Sequence, residues 1–295
     1  MSTTSSLQPL AGVRVLSLAL NLPGPAALMR CRAMGAECLK FEPPAGDPMR
    51  HYRRNAYDAL HAGIEVRSAD LKQPEGQAAL HEQLARTDVL LTSFRPCALA
   101  KLGLDRAALQ ARHPRLSQIA IVGAAGARAE EPGHDLTYLA DAGLVTGTAL
   151  PPTLYADMGG ALLASEAVLQ AVIQSRASGR GVHHEVALHD AAQWLALPRT
   201  WGLTTPGGAV GGAHAGYRVY PCADGRVAVA ALEPHFAARL CEAAGLAAGV
   251  DMAAPATRHA IADWLRGQTR AALDELAQAR DIPLHTLAPE VSHAG

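Results

Sequence analysis

The sequence predicts an α/β protein in two domains: a large one built on a parallel sheet with helices on both faces, and a smaller α+β domain after it. Three observations carry this. Short apolar, β-branched runs alternate with helical stretches through the first 123 residues, the pattern of a parallel sheet covered on both sides. A long and almost wholly apolar helical segment follows. After it, a glycine-rich stretch at 203–216 separates a tail with hairpin and helix signals.

Taken in order, GVRVLSLAL (12–20) has the character of a buried strand, NLPGP (21–25) acts as a breaker, and AALMRCRAM (26–34) is a short helix ended by Gly35. AECLKFE (36–42) is a second strand. The unit repeats with helices at 74–87 and 105–114 and strands at 88–94 and 115–123. The loops at the carboxyl ends of such strands are where ligands sit. PGHDLTYLADAGLV (132–145) places His134 after a Pro-Gly pair and before a helix. DMGGALLASEAVLQAVIQSRASGRG (157–181) is the strongest helix in the chain, with Asp157 at the N-cap position, an interior apolar nearly all round, and Gly179 to close it. Beyond the glycine-rich stretch, YRVYPCADGRVAVAAL (217–232) reads as a hairpin turning at Asp224-Gly225. A helix with Glu233 at its start and two further helical stretches complete the small domain. The expected division is therefore 1–200, a linker at 201–216, and 217–295.

Composition excludes several classes of function. The formal net charge is −1 and no basic block stands out, which argues against a nucleic-acid partner. No run of about 18 apolar residues occurs, and MSTTSSLQPLAG lacks the basic and apolar regions of a secretory signal. A cytoplasmic protein with no membrane partner is expected. The five cysteines, Cys31, Cys38, Cys97, Cys222 and Cys241, are scattered without ligand spacing, so reduced thiols are expected. VHHEVALHD (182–190) alternates like a strand and offers no metal-ligand pair. NLPGP departs from G-x-G-x-x-G, which argues against a nicotinamide dinucleotide. No metal is expected.

Two positions invite chemistry. His134 is a titratable imidazole at a helix start; the plain reading makes His134 and Asp135 a polar loop and an N-cap. Asp157 opens a helix whose first-turn N–H groups and positive dipole end suit an anionic oxygen, with Gly159 and Gly160 permitting close approach. An ordinary N-cap explains Asp157 equally well.

The collinear segments LAGVRVLSLA, MGAECLKFEPP, GDPMR, ADLKQPEGQAAL, DVLLTSFRP, PGHDLTYLADAG, YADMGGALLA and YRVYPCADGRVAVAALEPHF span nearly the whole chain. With them the sequence resembles the class III CoA-transferase family, most closely its alpha-methylacyl-CoA racemase members. The resemblance implies a large Rossmann-like domain with a smaller α+β domain. It also implies that His134 and Asp157 face each other across the substrate α-carbon and that Glu233 orients the histidine. Racemising a carbon beside a thioester needs a base on one face and an acid on the other. The enolate oxygen would be met by donors at Asp157, Met158, Gly159 and Gly160. Lys40, Arg53, Arg54, Arg95, Asp135 and Tyr138 are the expected CoA-binding residues. CoA is part of the substrate, so no separate cofactor is needed.

In transferase members the aspartate matching Asp157 is instead a nucleophile that forms an aspartyl-CoA thioester. A catalytically degraded relative is a third reading, motivated by departures from the family pattern. HAGIEVRSADLK (61–72) puts Ala62, Ile64 and Glu65 where positive charges are expected, and VGAAGARAEEPG (122–133) is shorter than the usual glycine-rich loop. The resemblance further implies a homodimer of interlocked rings; the PLHTLAPEVSHAG end lacks the usual return to the large domain, which would leave the ring open.

Overall fold

The computed structural model describes residues 7–289. The first six residues, read above for a leader, and the last six of the PLHTLAPEVSHAG end lie outside the described residues. The chain divides into two compact units, one running to Ala196 and the other starting at Leu197.

The first unit strings together β1 (Arg14–Ser17), α1 (Pro23–Ala33), β2 (Glu37–Glu42), α2 (Pro48–Tyr52), α3 (Arg54–Leu60), β3 (Glu65–Ser68), α4 (Pro74–Leu84) and β4 (Val89–Thr92). It continues through α5 (Pro96–Lys101), α6 (Arg106–Arg112), β5 (Ser117–Val122), α7 (Asp135–Asp141), α8 (Tyr155–Ser178), β6 (His183–Ala187) and α9 (Leu188–Thr200), the last of which carries the chain past the division. The six strands form one parallel sheet in the order β3-β2-β1-β4-β5-β6. Strands β4 and β5 are buried along their whole length, which is why they read as unbroken apolar runs. Alternate residues feed two separate layers: Val15, Leu91 and Ile119 pack with Ala27, Leu28 and Val168, while Leu16 and Leu90 pack with Leu80, Leu84 and Leu109.

Helix α8 packs on α1 through a face of small residues, Ala161, Ala164, Ala167, Val168 and Ala171, all buried. It is long and apolar enough to cross a membrane by length and composition, a property the search for uninterrupted apolar runs misses. Burial of that face against α1 and the sheet makes it a core helix. Two local expectations are corrected, and one strand was not expected. Pro23 does not break the chain but starts α1, since a proline at the first helical positions gives up an N–H that has no partner there anyway. Helix α8 starts at Tyr155, so Asp157 stands in the first turn instead of at the N-cap. Strand β3 escaped the pattern because it is an exposed edge strand with no apolar face.

The second unit contains β7 (Tyr217–Cys222), β8 (Gly225–Ala230), α10 (Pro234–Ala243), α11 (Pro255–Arg266), α12 (Arg270–Arg280) and β9 (Leu284–Leu287). Its sheet is antiparallel in the order β7-β8-β9. Tyr220, Val227, Val229, Leu240, Ile261, Leu265 and Leu273 form its core. Cys222 pairs with Gly225, so the hairpin turns on Ala223 and Asp224, one residue earlier than expected. The glycine-rich stretch belongs to this unit and is folded in part: Ala215 is fully buried and its N–H donates to the Met252 carbonyl at 2.8 Å. Glycine here supplies turns, not slack.

Candidate active site

The strand order of the first unit reverses between β1 and β4, and connections leaving a parallel sheet in opposite directions open a crevice there. A cavity of about 870 Å³ occupies that position. Asn21 follows β1, Ser93 and Arg95 follow β4, and Gly123 follows β5; His134, Tyr138 and Asp157 complete the part that carries chemistry. Ser93 Oγ accepts the N–H of Leu20 at 3.2 Å and so ties the first two loops together.

The structure brings His134 and Asp157 into this one cleft. His134 is the N-cap residue of α7 in extended conformation. Thr137 Oγ1 accepts the His134 backbone N–H at 3.0 Å and donates to its carbonyl at 2.8 Å. That hydroxyl closes the turn, and the exposed His134 side chain lines the cleft. The Asp157 carboxyl is pushed up to about 6, first by burial and then by the neighbouring Asp135 charge, with His134 opposing. Asp135 is itself buried, and its Oδ1 accepts the Asp157 N–H at 3.0 Å. It forms part of the cleft wall, but its carboxylate is turned onto α8, where a negative charge meets the positive end of the helix. This gives Asp135 a positioning role on α8, and it lines the cleft in which a CoA contact was expected of it.

The donors expected along the start of α8 are already engaged. The Asp157 N–H is taken by Asp135, the Met158 N–H donates to the Leu154 carbonyl at 3.0 Å, and Gly159 and Gly160 continue the helical ladder. The glycines serve packing: a Cβ on Gly160 would come within 2.3 Å of Leu188 Cδ2. Tyr138 lies in the cleft with its hydroxyl over two other glycines, where a Cβ on Gly123 or Gly133 would approach it to 2.3 or 2.4 Å. Burial and then the Asp157 charge raise its phenol, with Arg95 opposing.

Of the basic residues, Arg53 and Arg95 line the cleft. Arg54 is exposed, pairs with Asp58 one turn on at 2.8 Å, and is not among the cleft residues. Lys40 is fully buried, with Nζ 2.6 Å from Asp47 Oδ2, 3.1 Å from Glu42 Oε1 and 2.9 Å from His61 Nε2. All three of its donors are committed, so it is not available to a phosphate. Glu42, Asp47 and His61 are spaced as metal ligands are, and the Lys40 ammonium supplies the positive charge among them. The departure at 61–65 also changes meaning. Ile64 is a core residue, and Glu65, exposed at the start of β3, pairs with Arg67 at 2.7 Å.

Sequence reasoning missed Asn21, Ser93 and Tyr52 as cleft residues. Asn21 had a legible signal, an asparagine at the strand end before Leu-Pro-Gly, since asparagine tolerates the left-handed region it adopts at φ 64°. Glu233 belongs to the second unit, where it is the exposed N-cap residue of α10.

Fold and cleft together define an α/β protein with an acid and an imidazole at the switch point of a six-stranded parallel sheet. The chain belongs to CoA-transferase family III, whose family model matches residues 10–289. It is 33% identical to a cinnamoyl-CoA:phenyllactate CoA-transferase of Clostridium sporogenes over 62% of the chain and 50% of that protein. It is 30% identical to the alpha-methylacyl-CoA racemase of Homo sapiens over 80% of the chain and 65% of that protein. The chain thus spans about half to two thirds of the length of these relatives. Among solved structures, a hypothetical protein from Mycobacterium tuberculosis matches with TM-score 0.81 at 25% identity, covering 95% of this chain and 85% of that one. A CAIB/BAIF family protein from Brucella suis matches with TM-score 0.80 at 25% identity, covering 98% and 85%. These likenesses agree with the parallel-sheet fold read from the sequence.

Proposed function

We propose that the chain acts on an acyl-CoA thioester and racemises the α-carbon of a 2-methylacyl-CoA by proton transfer between His134 and Asp157. The observation that carries this reading is the Asp157 carboxyl at about 6 in the same cleft as an imidazole. An acid near the working pH both takes and returns a proton with little free-energy difference, which a reversible two-base reaction requires. One of the pair removes the α-proton, the thioester becomes an enolate, and the other delivers a proton to the opposite face. With the amides at 157–160 engaged, the enolate oxygen is assigned to the Tyr138 phenol, which holds its proton through neutral pH. Arg53 and Arg95 meet the phosphates of CoA. Glu233 orienting His134, action as a homodimer, and a cytoplasmic setting complete the proposal. CoA enters as part of the substrate and no further cofactor is invoked.

A second reading, CoA transfer through an aspartyl-CoA thioester on Asp157, is favoured by the transferase names among the relatives. Deuterium incorporation from D₂O into a 2-methylacyl-CoA separates the two. On the racemase reading, His134→Ala and Asp157→Asn each abolish exchange. If His134→Ala retains CoA transfer to a free carboxylate while Asp157→Asn loses it, the transferase reading replaces the first. Failure of the wild-type chain to bind acyl-CoA would favour the degraded relative.

A further inference from the structure

The buried cluster around Lys40 lies beneath the cleft, and the reaction sketched above does not use it. Its geometry is closed. Asp47, fully buried, accepts from Lys40 Nζ at 2.6 Å and from the Met49 N–H at 2.9 Å, and its two carboxylate oxygens accept the Asn21 N–H at 3.2 and 3.1 Å. The Asp47 N–H in turn donates to Glu42 Oε2 at 3.2 Å. Glu42 is held by Lys40 and by the Tyr57 hydroxyl, which donates to Oε1 at 2.9 Å. His61 Nδ1 stands 2.6 Å from the Tyr57 carbonyl, a contact it can make only as donor, so the Nε2 beside Lys40 accepts. Burial lowers this imidazole, in keeping with a neutral ring.

One arm of the cluster leaves the core and ends in the cleft. Asn21 and Asp281 are the non-glycine residues with positive φ among the described residues, and Asn21 is the one at the candidate site. A left-handed L-residue persists where its surroundings over-determine it. What holds Asn21 is the Asp47 carboxylate on its N–H. The same carboxylate caps α2, whose end presents Tyr52 and Arg53 to the cleft. We propose that Asp47, paired with Lys40, is a positioning residue for the candidate site: it holds the left-handed Asn21 turn and the start of α2 in the conformation that shapes the cleft. The shape it sets serves ligand binding on the acyl-CoA reading above, on which the affinity arm of the test rests.

Two variants test this in the full chain. In Asp47→Asn one of the two oxygens becomes an NH2 donor that faces other donors, and the two-oxygen hold on the Asn21 N–H is weakened. Asn21→Ala leaves the buried cluster intact but puts at φ 64° a residue that resists it. Amide hydrogen exchange followed by mass spectrometry is expected to quicken about tenfold in peptides covering residues 20–23 for both variants. Peptides from β4, β5 and α8 should stay protected. CoA itself, titrated by calorimetry, should bind about tenfold more weakly to each variant, and adding Asn21→Gly to Asp47→Asn should restore most of the loss, because glycine adopts positive φ unaided. Unchanged exchange at 20–23, a loss of protection spread through the sheet, or no rescue by Asn21→Gly would each overturn the proposal. If the wild type fails to bind CoA, the acyl-CoA reading falls, while the exchange result still decides whether Asp47 holds the turn.

Discussion

Replacing Asp157 by asparagine is expected to stabilise the protein at neutral pH while removing its proposed chemistry. Burial and Asp135 raise this carboxyl from an ordinary 3.8 to about 6. A carboxyl with a raised folded-state pKa holds its proton more tightly when folded, so its favourable contribution is complete below about pH 4 and is lost as pH rises through 6. The difference of 2.2 units, 6 minus 3.8, corresponds to about 3 kcal/mol once the group is ionised in both states. About half of that accrues between pH 5.0 and 7.5. Against it stands the favourable placement of a negative charge in the first turn of α8, about 0.3–1 kcal/mol. Part of the carboxyl also remains in contact with solvent, which reduces the penalty further. The net expectation is that Asp157→Asn gains about 1–2 kcal/mol at pH 7.5 and clearly less at pH 5.0. Urea unfolding of wild type and variant at both pH values measures this through the midpoints at matched slopes. An asparagine variant less stable at pH 7.5, or a gain equal at the two pH values, would refute the account of Asp157 as a carboxyl ionised against its surroundings.

Other expectations follow from where side chains sit. Ile64→Lys combined with Glu65→Arg, which the family pattern recommends for CoA binding, should instead destabilise by about 3 kcal/mol or more because position 64 is buried; a lowered melting temperature with no gain in CoA affinity is the outcome sought. Arg53→Gln and Arg95→Gln should each weaken CoA binding by about tenfold and flatten its salt dependence, read by calorimetry at two ionic strengths. Equal affinity in both variants would remove the arginines from the phosphate role. Gly160→Ala should change stability by less than about 1 kcal/mol, since the Leu188 methyl it meets can turn aside and alanine favours the helix, and a loss of several kcal/mol would show that Leu188 is locked there. Chelator treatment should leave activity unchanged, since Lys40 Nζ already stands among the ligand atoms of Glu42, Asp47 and His61; loss of activity restored by a divalent metal would contradict that.

What the sequence determined by itself is local in its physics. Val15, Leu90 and Ile119 lie in short apolar runs separated by helical periods, and such alternation admits little besides a parallel sheet with its ligand cleft at the strand ends. His134 and Asp157 stood out locally only as titratable groups at helix starts, and pairing them for proton transfer came from the family resemblance; the structure brings both into one cleft. Tertiary structure alone decided what surrounds them. Lys40 and Arg53 are both basic and only 13 residues apart, yet Lys40 is enclosed by two carboxylates and an imidazole while Arg53 faces the cleft. Ile64 looked like a lost phosphate contact and is core. Asp135 was expected to touch the ligand; its carboxylate holds the first turn of α8, thereby occupying an N–H that the local pattern left open for an enolate. Burial, and the partner that satisfies each polar group, depend on residues far apart in the chain, such as Asn21 and Asp47 or Asp135 and Asp157. Periodicity reports which side of an element is apolar; it carries no information about which distant carboxylate will meet a given amide.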